Sequence, residues 1–155
     1  MGGGIYNYGN TVTISNSTLS ANSSGAAGTD LGGNIWSAGG ATFQNSILAN
    51  SLSGGNCRFP VTSNGYNLSS DNTCNFNGPG DMNNTNPMLG TLRNYGGPTQ
   101  TIPLLPGSPA IDAGNPNGCT DGQGHLLKTD QRGMPRPDRE DQTGCDMGAY
   151  EKTSD

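Results

Sequence analysis

Acids crowd the end of this sequence: nine of its twelve Asp and Glu residues follow residue 110, among them Asp112, Asp121, Asp130, Asp138, Asp141, Asp146 and Glu151. Carboxylates on soft, Gly- and Asn-rich loops such as "NPNGCTDGQG" are the oxygen donors a calcium ion takes. Their spacing, however, departs from the D-x-[DN]-x-[DN]-G-x5-E of a calcium loop. Five of the seven bases share the same stretch, which offers a different chemistry. Asp112, Asp130 and Asp146 can accept backbone N–H groups in tight turns and pair with Arg132 or Arg136, pinning a cap that also includes Glu151. The expectation is therefore a structural cluster and no cofactor, with calcium at Asp112, Asp121 and Asp130 as the alternative.

No catalytic residue emerges from the remaining reactive types. Ser108, in "PGSPA", lacks the strand-to-helix G-x-S-x-G context of a nucleophile elbow. The single histidine, His125, has no partner at a spacing that would make it a base. The four cysteines, Cys57, Cys74, Cys119 and Cys145, admit three pairings. We favour Cys57–Cys74 and Cys119–Cys145, each closing a local loop rich in Gly and Asn. No Cys lies in a CxxC, and one histidine cannot complete a zinc site. Disulfides imply an oxidising compartment; the alternative is four reduced thiols in the cytosol.

The elements that must position these residues are written in an unusual composition. Gly contributes 26 of 155 residues, hydrophobics only 30%, and Gly, Asn, Ser and Thr together make nearly half the chain. Gly and Asn are poor helix formers and no stretch places apolar residues at i, i+3, i+4 and i+7, so a compact helical domain is not expected. Asp30 is the only charge in the first 57 residues. Such a surface offers nucleic acid no cluster of Lys and Arg and anionic lipid no basic patch. No apolar run of about 18 residues exists to insert as a membrane helix, and no basic and apolar leader follows Met1. The chain reads as extracellular or cell-surface.

The opening phrase "GGGIYNYGNTVTISNSTLSANSS" returns as "GGNIWSAGGATFQNSILANS". Val12 to Leu19 align with Ala41 to Leu48, and the offset of 29 to 30 residues is that of one supersecondary unit stacked repeatedly. Val12 and Ile14 alternate with Thr13 and Ser15, a strand pattern, and Gly-Gly or Asn-Ser punctuation supplies turns. Short strands in a repeating coil make the fold class all-β, a β-solenoid. A third, degraded coil runs through "CRFPVTSNGYNLSSDNTC", with Val61, Tyr66 and Leu68 continuing the apolar column. Residues 1–74 are read as coils and residues 75–155 as irregular final coils and a loop-rich C-terminal cap of the same domain.

"NYGGPTQTIPLLPGSPAIDAG", "DQRGMPRP" and "CDMGAYE" resemble the closing segment of bacterial surface proteins called choice-of-anchor Q proteins, and the opening repeat is similar to their rungs. The likeness spans essentially the whole chain. It implies a right-handed parallel β-helix of the pectate-lyase-like superfold, on a secreted or cell-surface protein whose coils continue upstream. It implies no reaction. Relatives of that superfold that cleave acidic sugars use Asp-bound calcium with a Lys or Arg base, or a trio of Asp, and the two clearest coils here carry no acid or base except Asp30.

The expectation is a non-catalytic structural or adhesive module. Two alternatives stand beside it: a carbohydrate-binding or carbohydrate-cleaving protein, with Tyr6, Tyr8, Trp36 or Tyr66 as stacking platforms, and a fragment of a larger adhesin. The sequons at Asn16, Asn22, Asn67 and Asn83 are what an Asn/Ser/Thr-rich chain produces by chance. The partners expected are a second copy and, alternatively, glycans, with neither nucleic acid nor membrane insertion. Self-association would use the edge of the first coil around Ile5, Val12 and Ile14, stacking subunits end to end into filaments.

Overall fold

The computed structural model describes residues 1–25, 31–139 and 144–153; Asp30 and Asp141 lie outside them. The named elements are all strands: β1 (Ile5–Asn7), β2 (Val12–Ser15), β3 (Thr18–Ser20), β4 (Ile35–Ser37), β5 (Ala41–Gln44), β6 (Ile47–Ala49), β7 (Cys57–Arg58), β8 (Thr62–Ser63) and β9 (Leu68–Ser69). They form three parallel sheets ordered β1-β4-β7, β2-β5-β8 and β3-β6-β9. Each sheet takes one strand from each of three successive segments, so the repeat in the sequence is a repeat in space.

Register follows the apolar pattern. Ile5 lies beside Ile35, Ile14 beside Phe43 and Leu19 beside Leu48. Ile14, Ile35, Phe43, Leu48, Cys57 and Phe76 form the first buried cluster, where side chains one pleat apart point inward together. A second cluster, of Ile47, Ala49, Leu68, Leu104, Ala110 and Met147, joins the third sheet to the C-terminal part. Burying an Ile, Leu or Phe side chain contributes about 1.5–3 kcal/mol, and these few residues per segment supply most of what holds such short strands.

Turns between strands need a left-handed backbone, and asparagine supplies it. Asn16 (φ 47°) and Asn45 (φ 51°) occupy the same corner in successive segments. Asparagine tolerates that conformation because its short amide bonds locally. The step between segments then shortens. Asn7 reaches Ser37, 30 residues on, and Ser17 reaches Ser46, 29 on. Asn34 reaches Asn56, 22 on, and Ser46 reaches Asn67, 21 on. In the shortened third segment Ser63 lies beside Phe43. Val61 and Tyr66 are half-buried at the flanks of the two clusters, and Leu68 alone continues the column, wholly buried beside Ile47.

After Ser69 the described chain makes only isolated bridges, most of them antiparallel, such as Leu89 with Leu104 and Thr120 with Leu126. It doubles back onto the strands. The amide of Asn16 donates to the Thr120 carbonyl at 2.6 Å, Gly148 N–H to the Asn45 carbonyl at 2.9 Å, and Ala149 N–H to the Thr18 hydroxyl at 3.1 Å. Disulfides close between Cys57 and Cys74 and between Cys119 and Cys145. Each constrains a loop of a size that gains about 3 kcal/mol in the chain-entropy model.

Candidate functional site

Among the described residues, three groups of side chains bear on function. The first is the charged cluster of the cap. Asp130 is buried in a turn, where its carboxylate accepts the backbone N–H groups of Arg132 (2.8 Å), Met134 (3.1 Å) and Glu151 (3.0 Å). The Arg132 guanidinium closes on it at 2.7 Å and lies over the Tyr150 ring, 3.6 Å from its centre. Arg136, 3% exposed, donates from Nε to Glu151 at 2.7 Å. Asp146 accepts the N–H groups of Asp112 (2.9 Å) and Lys152 (2.6 Å).

Burial dominates the electrostatics of this cluster. It lifts the Glu151 carboxyl to about 7 despite the attraction of Arg136, and it raises Asp146 as well, against the N–H groups of Lys152 and Asp112. Both carboxylates have lost water; Asp146 adds repulsion at Glu151, and Asp138 adds it at Asp146. The arrangement is a clasp in which carboxylate oxygens meet backbone donors and guanidinium groups of the same chain, while Nη2 of the buried Arg136 has no hydrogen-bond partner. Among the described residues, no three carboxylate, imidazole or thiol groups are gathered to hold a metal ion. Asp112, Asp121 and Asp130 do not converge: Asp112 supplies its N–H to Asp146, while Asp121 sits on a separate hairpin.

That hairpin holds the second group, and here the sequence reading is corrected. His125 does have a partner: its Nδ1 lies 3.0 Å from Asp121 Oδ2. The turn "DGQGH" brings the two together, because Asp121 Oδ1 also accepts the N–H groups of Gln123 (2.8 Å) and His125 (2.9 Å). Those bonds, first the backbone of His125 and then its ring, lower the Asp121 carboxyl. The D-x-x-x-H spacing around two glycines was the signal that could have revealed it. The ring is 73% exposed, and among the described residues no hydroxyl or thiol is bonded to it. Ser108, for its part, is buried and donates to the Pro87 carbonyl at 2.6 Å.

The third group is an aromatic column on the outward face of the β1-β4-β7 sheet. Tyr6 lies beside Trp36, and Trp36 beside Arg58. The Tyr6 and Trp36 rings stack 4.7 Å apart, Tyr8 lies parallel to Trp36 at 6.2 Å, and Phe59 meets Trp36 edge-on at 5.0 Å. Trp36 is consequently 7% exposed, whereas Tyr6 is 55% and Tyr8 73% exposed. The column therefore ends, on the β1 side, in two open tyrosines. Tyr66, by contrast, packs on the second buried cluster. A groove of 670 Å³ lies beyond the other end, between Arg58, Phe59 and Pro60 on one side and Thr73, Asn75 and Asn77 on the other.

The two edges of the stack differ. Among the described residues β1, β2 and β3 each pair on one side only, with β4, β5 and β6. Ile5 and Val12 are half-buried there and Ile14 is buried, so the exposed apolar surface at this edge comes from Met1, Tyr6 and Tyr8. The opposite edge is covered. Asp71 accepts Asn56 N–H at 2.9 Å, Thr73 accepts Cys57 N–H at 3.0 Å, and Asp81 accepts Asn67 N–H at 2.8 Å. The Pro79 and Met82 carbonyls take the N–H groups of Tyr66 and Ser69, both at 2.8 Å.

No protein-family model matches this chain, and neither a curated protein nor a solved structure matches it. Two disulfides hint at an oxidising compartment. No helix is long and apolar enough to cross a membrane among the described residues.

Proposed function

We propose that this chain is a right-handed parallel β-helix module of an extracellular or cell-surface protein, non-catalytic, with a structural or adhesive role. The observation that carries the reading is where its charges are. Across β1 to β9 the only charged side chain is Arg58, while the buried acids and bases of the cap are bonded to one another and to backbone. A lyase or glycosidase working on such a sheet needs carboxylates or a carboxylate-bound cation exposed to substrate with a base beside them. Here the strand faces present hydroxyl and amide groups instead. Three in-phase parallel sheets, each one strand per segment, support the coil geometry. The likeness of the closing motifs to choice-of-anchor Q proteins supports a place on a bacterial surface.

The test is direct. Purified chain incubated with polygalacturonate and with neutral polysaccharides, with and without calcium, should release neither unsaturated products nor reducing ends. Turnover that disappears in the Asp130→Asn or Asp112→Asn variant would overturn the structural reading of the cap.

A further inference from the structure

We propose that Asn77 is a site of self-modification: its side-chain amide is converted to a carboxylate through attack by the backbone nitrogen of Gly78, with Asp81 as the base. The pair Asn-Gly occurs three times, at Asn64-Gly65, Asn77-Gly78 and Asn117-Gly118. In each, the glycine nitrogen has no Cβ beside it to obstruct a close approach to the asparagine Cγ, so the sequence ranks the three equally. Their surroundings separate them.

Gly78 N–H donates to Asp81 Oδ2 at 2.6 Å, within the reach a general base needs of the proton it removes. Gly65 N–H donates instead to the Ser63 hydroxyl at 2.9 Å, and Gly118 N–H to the Asn115 carbonyl at 2.9 Å. Neither a hydroxyl nor an amide carbonyl takes up a proton near neutral pH; a carboxylate is the stronger base. Asp81 is itself held in place, because its Oδ1 accepts Asn67 N–H at 2.8 Å and the Asn67 amide at 3.3 Å. Asn77 is exposed and borders the 670 Å³ groove, so water reaches it.

The Gly78 nitrogen bonds to Asn77 Cγ as its proton passes to Asp81. That proton then leaves with the side-chain nitrogen as ammonia when the Cγ–Nδ2 bond breaks. Water opens the resulting cyclic imide at either carbonyl, giving aspartate or isoaspartate at position 77, and Asp81 ends as it began. The product places a new carboxylate next to the N–H that Asp81 holds, on the loop that covers the far edge of the strands. None of this depends on whether the module is structural or adhesive.

Folded chain aged in heavy-oxygen water and mapped by peptide mass spectrometry tests it, since each conversion leaves a labelled carboxylate at an assigned residue. Asn77 should convert at least about tenfold faster than Asn64 or Asn117, a modest share of what a positioned base supplies, and in urea the three rates should converge. Asp81→Asn keeps an oxygen to accept the N–H groups but removes the base; it should bring Asn77 down to the rate of the other two. Between about pH 6 and 8 the folded rate should stay level, because an internal carboxylate replaces hydroxide as the base, whereas the unfolded rate follows hydroxide. That pH profile decides the question if the variant fails to fold. An Asn77 no faster than its two counterparts, an undiminished rate in folded Asp81→Asn, or a folded rate that climbs with hydroxide would each overturn the inference.

Discussion

Glu151 sits where a carboxyl can act as the pH-sensitive member of the cap. Its ordinary value is 4.5, and burial raises it to about 7. An acid raised in the folded state binds its proton more tightly folded than unfolded. Its contribution to stability is thus complete below about pH 4.5 and is lost as pH climbs through about 7. Asp146, raised by the same desolvation, acts in the same direction. Asp121 is lowered and works oppositely at acid pH, but on an exposed hairpin where the effect is screened. The melting temperature should therefore fall between about pH 5 and about pH 8. Glu151→Gln, which mimics the protonated form, should flatten that fall; a variant retaining the wild-type slope would show that another group sets it. At this scale the sequence was partly readable. Asp130 and Arg132 stand two apart, a spacing a turn can close. Arg136 and Glu151 stand 15 apart, and no local rule names such a pair, since the loop between them decides it.

Between the strands, buried amides add to the apolar columns in aligning successive segments. Asn22 donates to Asn34, and Asn34 to Asn56, each at 2.8 Å. The Asn56 amide then ends on the Leu48 carbonyl at 2.9 Å and on the Ser69 and Ser70 hydroxyls at 3.0 and 3.1 Å. Asn34 and Asn56 have no exposed surface, so a missing partner is not replaced by water. Asn56→Ala should cost about 2–3 kcal/mol, from one buried Asn34 N–H that loses its acceptor together with the space left behind, while Asn34 keeps the Ala49 carbonyl and the Leu48 carbonyl keeps the Ser70 N–H. Urea unfolding measures it; a loss below about 1 kcal/mol would mean the row is a passive filler. The first two segments were legible because Val12–Ile14 and Ala41–Phe43 repeat the same apolar beat at nearly constant spacing. The third was only half legible: its step drops to 21 or 22 residues, and a serine takes the place a periodic reading reserves for a hydrophobe.

At the scale of the whole molecule, the last described segment reaches back to the first. Ala149 bonds to Thr18 across 131 positions, Thr120 to Asn16 across 104, and the Asp146 carbonyl to Asn45 across 101. Gly148 (φ 92°) lies against Thr18 and Ile47 so closely that a Cβ there would sit 2.5 Å from the Thr18 hydroxyl. The positive φ and the close approach both require glycine, and none of this shows in a repeat pattern, which reports only neighbours one coil apart.

That return has a consequence in time. A polypeptide leaves the ribosome from its amino end at about 5–20 residues per second, and contacts between distant residues wait for the later one. The first strands emerge before the groups at residues 146–149 that cover the Thr18 and Asn45 corners. Until residues 146–149 emerge, the Thr18 and Asn45 corners lack these contacts, although the rungs already pair with one another. A protein truncated before Gly144 should accordingly be cut within residues 1–25 by a dilute protease that spares the longer chain. Equal resistance of the two would mean that the rungs close without their fastening.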